Sequence, residues 1–441
     1  MSRGANGAPP PAPAADAIEV PRLLADAVVE TLANGLTVCR LSNRQAPVVT
    51  TALWYRAGTR HETAGHGGVA HFLEHMMFKG SPLYPAGAID RRTQALGGDN
   101  NAFTSHDATA YYFNFAPDRW REALAVEADR MASLVLAPDE VASERRVILE
   151  EIALYDAAPW DALETRVMAA FYGAHPYGRP VLGTRADLEA TGPDELAAFH
   201  RRFYRPGNAV LVIAGDVGEE AGEAAAEAFS RVPDRAPQDD EEWTTEPAAE
   251  PPRRGEVERV EQRKGEVPRL LLALPAPPAG HPDQAALRLA TVLLGSGRAS
   301  RLHRLLVDER QLCVWVDADL SDSVGPGHFT VALELVPGVD PAEVEALVLG
   351  ELERLAAHPP SDEEVERARR IAFADWVFAH ERIHQQALTA GYALALFDLG
   401  HAERQLAVLL AAEAGQVTRA VTQYLLPEAG GVAGWSLPAE D

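Results

Sequence analysis

Asp139-Glu140-Val141-Ala142-Ser143-Glu144-Arg145-Arg146-Val147 lines up without gaps on Glu363-Glu364-Val365-Glu366-Arg367-Ala368-Arg369-Arg370-Ile371. Self-similarity across such a distance is the mark of a duplicated structural unit. The surrounding sequence carries the same programme twice. The first half reads as strands over 28–32 and 36–41 around Asn34-Gly35, a pair suited to a tight hairpin turn, and a strand over 48–55. Helices over 67–79 and 86–96 follow, then strands over 101–104 and 108–115. Amphipathic helices over 118–134 and 138–156, a buried-type strand over 209–214 and a helix ending near Arg231 complete it. The second half repeats this with strands over 256–260 and 270–274, helices over 284–294 and 300–309, strands over 314–320 and 328–335, and long helices from Pro341 onward. The expected class is α+β: two homologous α/β-sandwich domains, each a mainly antiparallel sheet flanked by helices.

Four segments follow. Residues 1–20, rich in Pro, Ala and Gly, read as a disordered arm, and 21–232 as the first domain. Residues 233–255 read as an acidic, Pro-rich linker containing Asp239-Asp240-Glu241-Glu242, and 256–441 as the second domain. A chain of 441 residues with 47% hydrophobic content can bury two such cores. Its formal charge of -25 argues against nucleic acid or an anionic membrane face as the main partner, since each would meet like charge. Cys39 and Cys313 are the only cysteines, so neither a disulfide framework nor a thiolate metal cluster is available, which suits a reducing compartment. With no apolar run of spanning or signal length at the start, the sequence predicts a cytoplasmic protein without a membrane span.

Chemistry concentrates at His71-Phe72-Leu73-Glu74-His75. Residues four apart on a helix share a face, so both imidazoles can reach one metal ion at about 2.0–2.1 Å. Glu74 projects beside that face, placed to take a proton from an attacking water. The flanks Val69, Ala70, Phe72, Leu73, Met76, Met77 and Phe78 are apolar enough to bury the helix, and two imidazoles with a carboxylate are costly to bury without partners. The alternative, an ordinary histidine pair on a half-exposed helix, does not account for that glutamate. The order His-x-x-Glu-His also matches the signature of inverted zinc peptidases.

A catalytic zinc takes three protein ligands and keeps one position open, so a third must come from elsewhere. The helix after Pro138 offers Glu144, Glu150 and Glu151. Its apolar stripe is expected through Val147, Ile148, Ile152 and Tyr155, which puts Glu144 and Glu151 on the buried face and Glu150 off it. Glu151 is the expected third ligand and Glu144 a supporting group. The turn Gly97-Gly98 leads into Asn101-Ala102-Phe103, read as a strand on which an extended peptide could dock through main-chain hydrogen bonds. His61, His66 and His106 are read as surface or supporting residues, and His380 and His384 as ordinary helix residues.

These residues resemble the pitrilysin and mitochondrial processing peptidase family of inverted zinc peptidases. The likeness runs through Trp54-Tyr55-Arg56-Ala57-Gly58-Thr59-Arg60, Glu62 and Gly67-Gly68-Val69-Ala70 into the metal motif. Beyond it come Met77-Phe78-Lys79-Gly80, Asn101-Ala102-Phe103-Thr104-Ser105 with Tyr111-Tyr112-Phe113, and Glu144-Arg145 to Glu151-Ile152. The resemblance implies a zinc endopeptidase with His71, His75 and Glu151 as ligands, Glu74 as general base and Glu144 as the supporting acid. It further implies that paired domains of this kind enclose a chamber for unfolded peptides.

The second half departs from the family's pattern. There the family offers an arginine and, seven residues on, a tyrosine that hold substrate and stabilise the oxyanion; the matching positions are Val307 and Val314, and no tyrosine lies between Tyr204 and Tyr392. Losing one oxyanion donor costs about 10²–10³ in rate. A heterodimer is therefore expected, with a related partner that lacks the metal motif and brings the Arg/Tyr pair, a homodimer being the lesser option. The second half also lacks the metal motif, with Gly295-Ser296-Gly297-Arg298-Ala299-Ser300-Arg301 read at its place, Ala368 at that of Glu144 and Asp375 at that of Glu151. Two other functions remain open: a catalytically weak, structural or chaperone-like member of the same fold, and a metal hydrolase acting on a non-peptide substrate.

Overall fold

A computed structural model describes residues 20–234, 251–252 and 255–439. The arm expected over 1–20, Val20 apart, and most of the linker expected over 233–255 lie outside the described residues.

In the first half, strands β1 (Val28–Thr31), β2 (Thr37–Ser42), β3 (Val49–Tyr55), β4 (Asp99–Thr104), β5 (Thr109–Phe115) and β6 (Ala209–Gly215) form one sheet in the order β1-β2-β6-β3-β5-β4. In the second, β7 (Val257–Arg263), β8 (Arg269–Ala276), β9 (Cys313–Leu320), β10 (Gly327–Leu335) and β11 (Gly431–Leu437) run β7-β11-β8-β10-β9. Without β1 the two orders match strand for strand. Each contains one parallel pair, β2 with β6 and β7 with β11, and is otherwise antiparallel. The molecule is two homologous α/β domains with mixed sheets. The closing strand β11 escaped the sequence reading because Gly431 and Gly434 interrupt its apolar pattern.

The helices of the first half are α1 (Val69–Met76), α2 (Ala88–Ala95), α3 (Arg121–Ala132), α4 (Pro138–Ala157), α5 (Pro159–Tyr172), α6 (Arg185–Ala190), α7 (Pro193–Phe203) and α8 (Glu220–Phe229). Those of the second are α9 (Gln284–Leu294), α10 (Pro341–Ala357), α11 (Asp362–Ala379), α12 (Ile383–Leu396), α13 (His401–Ala411) and α14 (Ala414–Tyr424). The segment expected as a helix over 300–309 winds instead as a π-helix at His303–Glu309. His380 and His384 do not share a helix: His380 caps the end of α11 and His384 lies in α12.

One face of each sheet buries its own helices. Leu53, Tyr55, Tyr111, Phe113, Leu211 and Ile213 pack with Phe72, Leu73, Leu124 and Phe199 in the first half. Leu270, Leu272, Leu274, Val331 and Leu333 pack with Leu287, Leu294, Val348 and Val421 in the second. The opposite faces are covered by exchange. Helix α12 of the second half lies on β3 and β6, burying Ile383, Ala387 and Ala390 against Ala52, Trp54, Val210 and Val212. Helix α5 of the first half lies on β8 and β11, burying Leu163, Val167 and Phe171 against Leu271, Ala273 and Val432. Since α5 follows α4 as α12 follows α11, the exchange is reciprocal and joins the halves into one body. Close approach depends on two glycines. A Cβ at Gly391 would meet Trp54 Nε1 at 2.1 Å, and one at Gly434 would meet Val167 Cγ2 at 2.2 Å.

Candidate metal centre

Helix α1 begins at Gly68, whose φ of +83° is a left-handed conformation that favours glycine. A Cβ there would also collide with the Leu182 carbonyl oxygen at 2.4 Å. The first turn of a helix leaves amide groups without intrahelical partners. Here the buried Glu62 supplies them, its two carboxylate oxygens accepting from Gly68 N–H and Ala70 N–H at 3.0 Å each. The flanking Val69, Ala70, Phe72, Leu73 and Met76 are fully buried, as the sequence predicts, which turns His71, Glu74 and His75 toward α4 and β4.

Among the described residues one group of three metal-binding side chains converges: the ligand atoms of His71, His75 and Glu151 lie within 4.8 Å of one another. Glu151 Oε2 is 3.6 Å from His75 Nε2 and 3.9 Å from His71 Nε2. Ligands of a tetrahedral zinc sit about 3.3 Å apart, given bonds of about 2.0–2.1 Å, so small side-chain movements would close the set on one ion. Burial lowers the His71 pKa to about 3, which keeps that imidazole neutral with a lone pair to donate. Burial also acts against protonation of His75, but the carboxylates around it, Glu144 foremost, outweigh this and hold its pKa above the ordinary value. Two imidazole nitrogens, a carboxylate oxygen and room for a fourth ligand suit a divalent zinc.

The remaining groups orient this set. Glu144 Oε1 lies 2.9 Å from His75 Nδ1. A proton on Nδ1 donated to that carboxylate leaves Nε2 free to face Glu151. Lys79 Nζ meets the other oxygen of Glu144 at 2.5 Å. Burial raises the Glu144 pKa, yet the bonds from His75 and Lys79 prevail and hold it below its usual value. Glu74, also buried, accepts from the Thr104 hydroxyl at 2.5 Å. Its pKa is raised by burial, with the Thr104 bond opposing. Sequence reasoning overlooked both Lys79 and Thr104. The first could have been found by extending the spacing His71, His75 one more turn. The second carries no local signal, because it belongs to a strand that only the fold brings to α1.

Helix α4 presents Val141, Glu144 and Ile148 to the interior and Glu151 at its margin, while Glu150 is exposed. The stripe is narrower than expected. Val147 and Tyr155 are 47% and 48% exposed, because α4 packs on α1 along one edge and leaves that flank uncovered. Arg145 fixes the helix by donating to the carbonyls of Leu188 and Thr191.

Strand β4 is the outer strand of its sheet. Neighbouring residues on a strand face opposite ways, so Thr104 turns to Glu74 while Phe103 turns away and packs edge-on against Trp54, with ring centroids 5.3 Å apart. The Ala102 N–H donates to the side chain of Asn101 at 2.9 Å. Of the expected docking residues, therefore, the Phe103 side chain does not face the metal-binding group.

Topology corrects the assignment of the second half's counterpart. Helix α9 follows β8 as α1 follows β3, so the counterpart of the metal-binding helix is α9, which carries no histidine and lies ahead of 295–301. Arg301 pairs with Glu364 at 2.9 Å and Glu351 at 3.4 Å, and is thereby committed to holding its own domain. Val307 lies in the π-helix and Val314, 57% exposed, in β9. His61 and His106 are half-buried: His61 packs against Phe203 with ring centroids 5.3 Å apart, His106 Nδ1 lies 2.6 Å from the Thr59 hydroxyl, and burial lowers each pKa to about 4.

The family model described as insulinase (peptidase family M16) matches residues 37–185, and that described as the peptidase M16 inactive domain matches 192–372. An uncharacterized zinc protease of Mycobacterium leprae is 33% identical over 319 residues, covering 70% of this chain and 69% of that protein. The zinc protease PqqE of Helicobacter pylori is 32% identical over 286 residues, 64% of each chain. Among solved structures, a protease from Helicobacter pylori superimposes with a TM-score of 0.88 at 25% identity, over 94% of this chain and 99% of that one. The first half of the periplasmic protease PqqL from Escherichia coli shares the fold with a TM-score of 0.75 at 18% identity, over 95% of this chain and 92% of that one. The cytoplasmic assignment does not stand, because the same fold serves a periplasmic protease. Among the described residues no helix is long and apolar enough to cross a membrane.

Proposed function

The chain belongs to the M16 (insulinase) family of zinc metallopeptidases, and from that premise we propose that it is an endopeptidase subunit that cleaves peptides or unfolded polypeptides. The observation that carries this reading is the convergence of His71, His75 and Glu151 beside a buried Glu74. His71, His75 and Glu151 would hold zinc, whose chemistry when bound is to polarise the scissile carbonyl as a Lewis acid. Glu74 acts as general base, its raised pKa suiting it to take a proton from the attacking water and return it to the departing amine. Thr104 occupies one Glu74 oxygen and leaves the other for that water. Glu144 fixes the tautomer of His75 and is itself fixed by Lys79. Residues 101–103 on the open edge of β4 would align the peptide main chain by strand addition.

The second domain brings Val307 and Val314 where the family's pattern has substrate-holding arginine and tyrosine. A second copy of the same chain would bring the same valines. The reading is therefore of a heterodimer whose partner supplies the Arg/Tyr pair and lacks the metal motif.

Two measurements test this. After purification with zinc, Glu74→Gln should retain stoichiometric metal and lose peptide hydrolysis by at least about 10²-fold, the usual worth of a general base. Unchanged turnover in that variant would instead favour a structural or chaperone-like role. Hydrolysis should also rise on adding a related chain that carries the Arg/Tyr pair; full activity from the isolated chain would refute the need for a partner.

A further inference from the structure

One charged pair of the first domain lies outside the metal-binding group and is shut off from solvent. Arg130 and Glu127, three residues apart on α3, are 0% and 1% exposed. The guanidinium donates to both carboxylate oxygens, from Nε at 2.8 Å and from Nη2 at 2.6 Å. Aromatic rings close around it, the centroids of Tyr111, Phe78 and Phe113 lying 4.2, 5.1 and 5.8 Å from its central carbon. Taking two such ions out of water is costly, and apolar residues of similar volume in their place often leave a protein as stable or more so. Stability of the core alone therefore does not account for the pair.

A remaining donor of Arg130 shows where the pair acts. Nη1 approaches the Met77 carbonyl oxygen at 3.5 Å, and Met77 caps the end of α1. At that end of a helix the carbonyl groups lack intrahelical partners and a cation is favoured. Phe78, whose ring lies beside the guanidinium, is the next residue, so Arg130 holds the exit turn of α1 through both backbone and side chain. Within that turn Phe78 N–H donates to the His75 carbonyl at 3.1 Å and Lys79 N–H to that of Met76 at 2.9 Å. Lys79 in turn pairs through Nζ with Glu144, whose other oxygen meets His75 Nδ1. A contiguous path thus runs from a fully buried ion pair to one of the three metal-binding side chains.

We propose that Arg130, held by Glu127, is a positioning residue: it fixes the turn after α1 so that Lys79 reaches Glu144 and Glu144 orients His75. This deepens the metallopeptidase reading and rests on it for the metal alone. The test replaces the pair in the full chain by apolar residues, Glu127→Leu with Arg130→Met, which leaves no unpaired charge in the core. A circular dichroism spectrum like the wild type's and a cooperative melt establish that the variant folds. Hydrogen exchange in the metal-free protein should then quicken at the Phe78 and Lys79 amides by about tenfold, the scale of a lost hydrogen bond to a charged group, and stay unchanged in β2. Zinc affinity, measured by competition with a chelator, should fall by about tenfold, the low end for losing a group that orients a histidine ligand. Lys79→Met should lower it about as much by itself, and the three changes together no more than Lys79→Met alone, because both act through one contact. Wild-type exchange or wild-type zinc affinity in the apolar variant would overturn the proposal, and so would full additivity with Lys79→Met. Should the apolar variant not fold, Arg130→Lys decides: it keeps a cation beside Glu127 but lacks the fork that also reaches Met77. Unchanged exchange at Phe78 and Lys79 in that variant would overturn the proposal. A wild-type chain without affinity for zinc would count against the metallopeptidase reading, and the exchange experiment would still decide the role of Arg130.

Discussion

Glu144 and Thr104 touch different members of the metal-binding helix, and their substitution should separate two kinds of defect. Glu144 holds His75 by its Nδ1, so Glu144→Gln should weaken zinc affinity by roughly 10–100-fold, the usual effect of removing a carboxylate that orients a histidine ligand. Competition with a chelator measures it. Thr104 touches Glu74 and none of the three metal-binding residues. Thr104→Val should leave zinc content intact and lower kcat by about tenfold, in line with a hydrogen bond to a charged group worth about 1.5–3 kcal/mol. KM should change little, and Thr104→Ser, which restores the hydroxyl, should recover most of the rate. If Thr104→Val proved as active as the wild type, the strand would not be positioning the base. Glu151→Gln should abolish tight metal binding, whereas the exposed Glu150 should tolerate the same change.

Helices α5 and α12 each cover the sheet of the other domain, an arrangement that rests on residues small enough to let backbone and side chain meet. Gly434 of β11 lies under Val167 of α5, leaving a Cβ only 2.2 Å from a methyl carbon. Gly434→Ala should therefore destabilise the whole chain by about 1–3 kcal/mol, the range for overpacking a filled core. Combining it with Val167→Ala should return part of that loss, so that the double variant melts above the additive expectation. Strict additivity in thermal melts would show that the two residues are not in conflict. The local sequence gives α5 and α12 amphipathic patterns but no address for their apolar faces. That address appears only once both sheets exist.

Across the molecule the halves meet at a polar junction. Asp107 accepts from the Tyr177 hydroxyl at 2.7 Å and from Val324 N–H at 3.1 Å, and pairs with Arg60 at 3.1 Å. His106 and His328 lie half-buried nearby, and burial lowers both pKa values to about 4. His328 Nδ1 lies 2.8 Å from the Tyr172 hydroxyl of α5. The unfolded chain takes up a proton at each histidine near pH 6.5, while the folded chain resists until about pH 4. Their contribution to stability is thus fully present above pH 6.5 and is lost as pH falls through that window to about 4. The melting temperature should decline on acidification from pH 7 to 4.5, and His328→Gln should flatten the decline even if it lowers stability at pH 7. An identical pH slope in the variant would place the titration elsewhere.

The sequence by itself determined the chemistry of the first domain and the duplication. His71, Glu74 and His75 lie within one helical turn of each other, and the gapless match of 139–147 with 363–371 lies within one helix of each copy, so simple periodicity reveals both. It also separated Glu151 from Glu150, because a helix face is a property of spacing alone, although it overestimated the apolar stripe by counting Val147 and Tyr155. The tertiary structure alone decided which groups from separate elements meet: Thr104 with Glu74, Glu144 with His75, and α5 and α12 with each other's sheets. The reason is that such meetings depend on elements distant in the chain folding together, which a linear pattern cannot register.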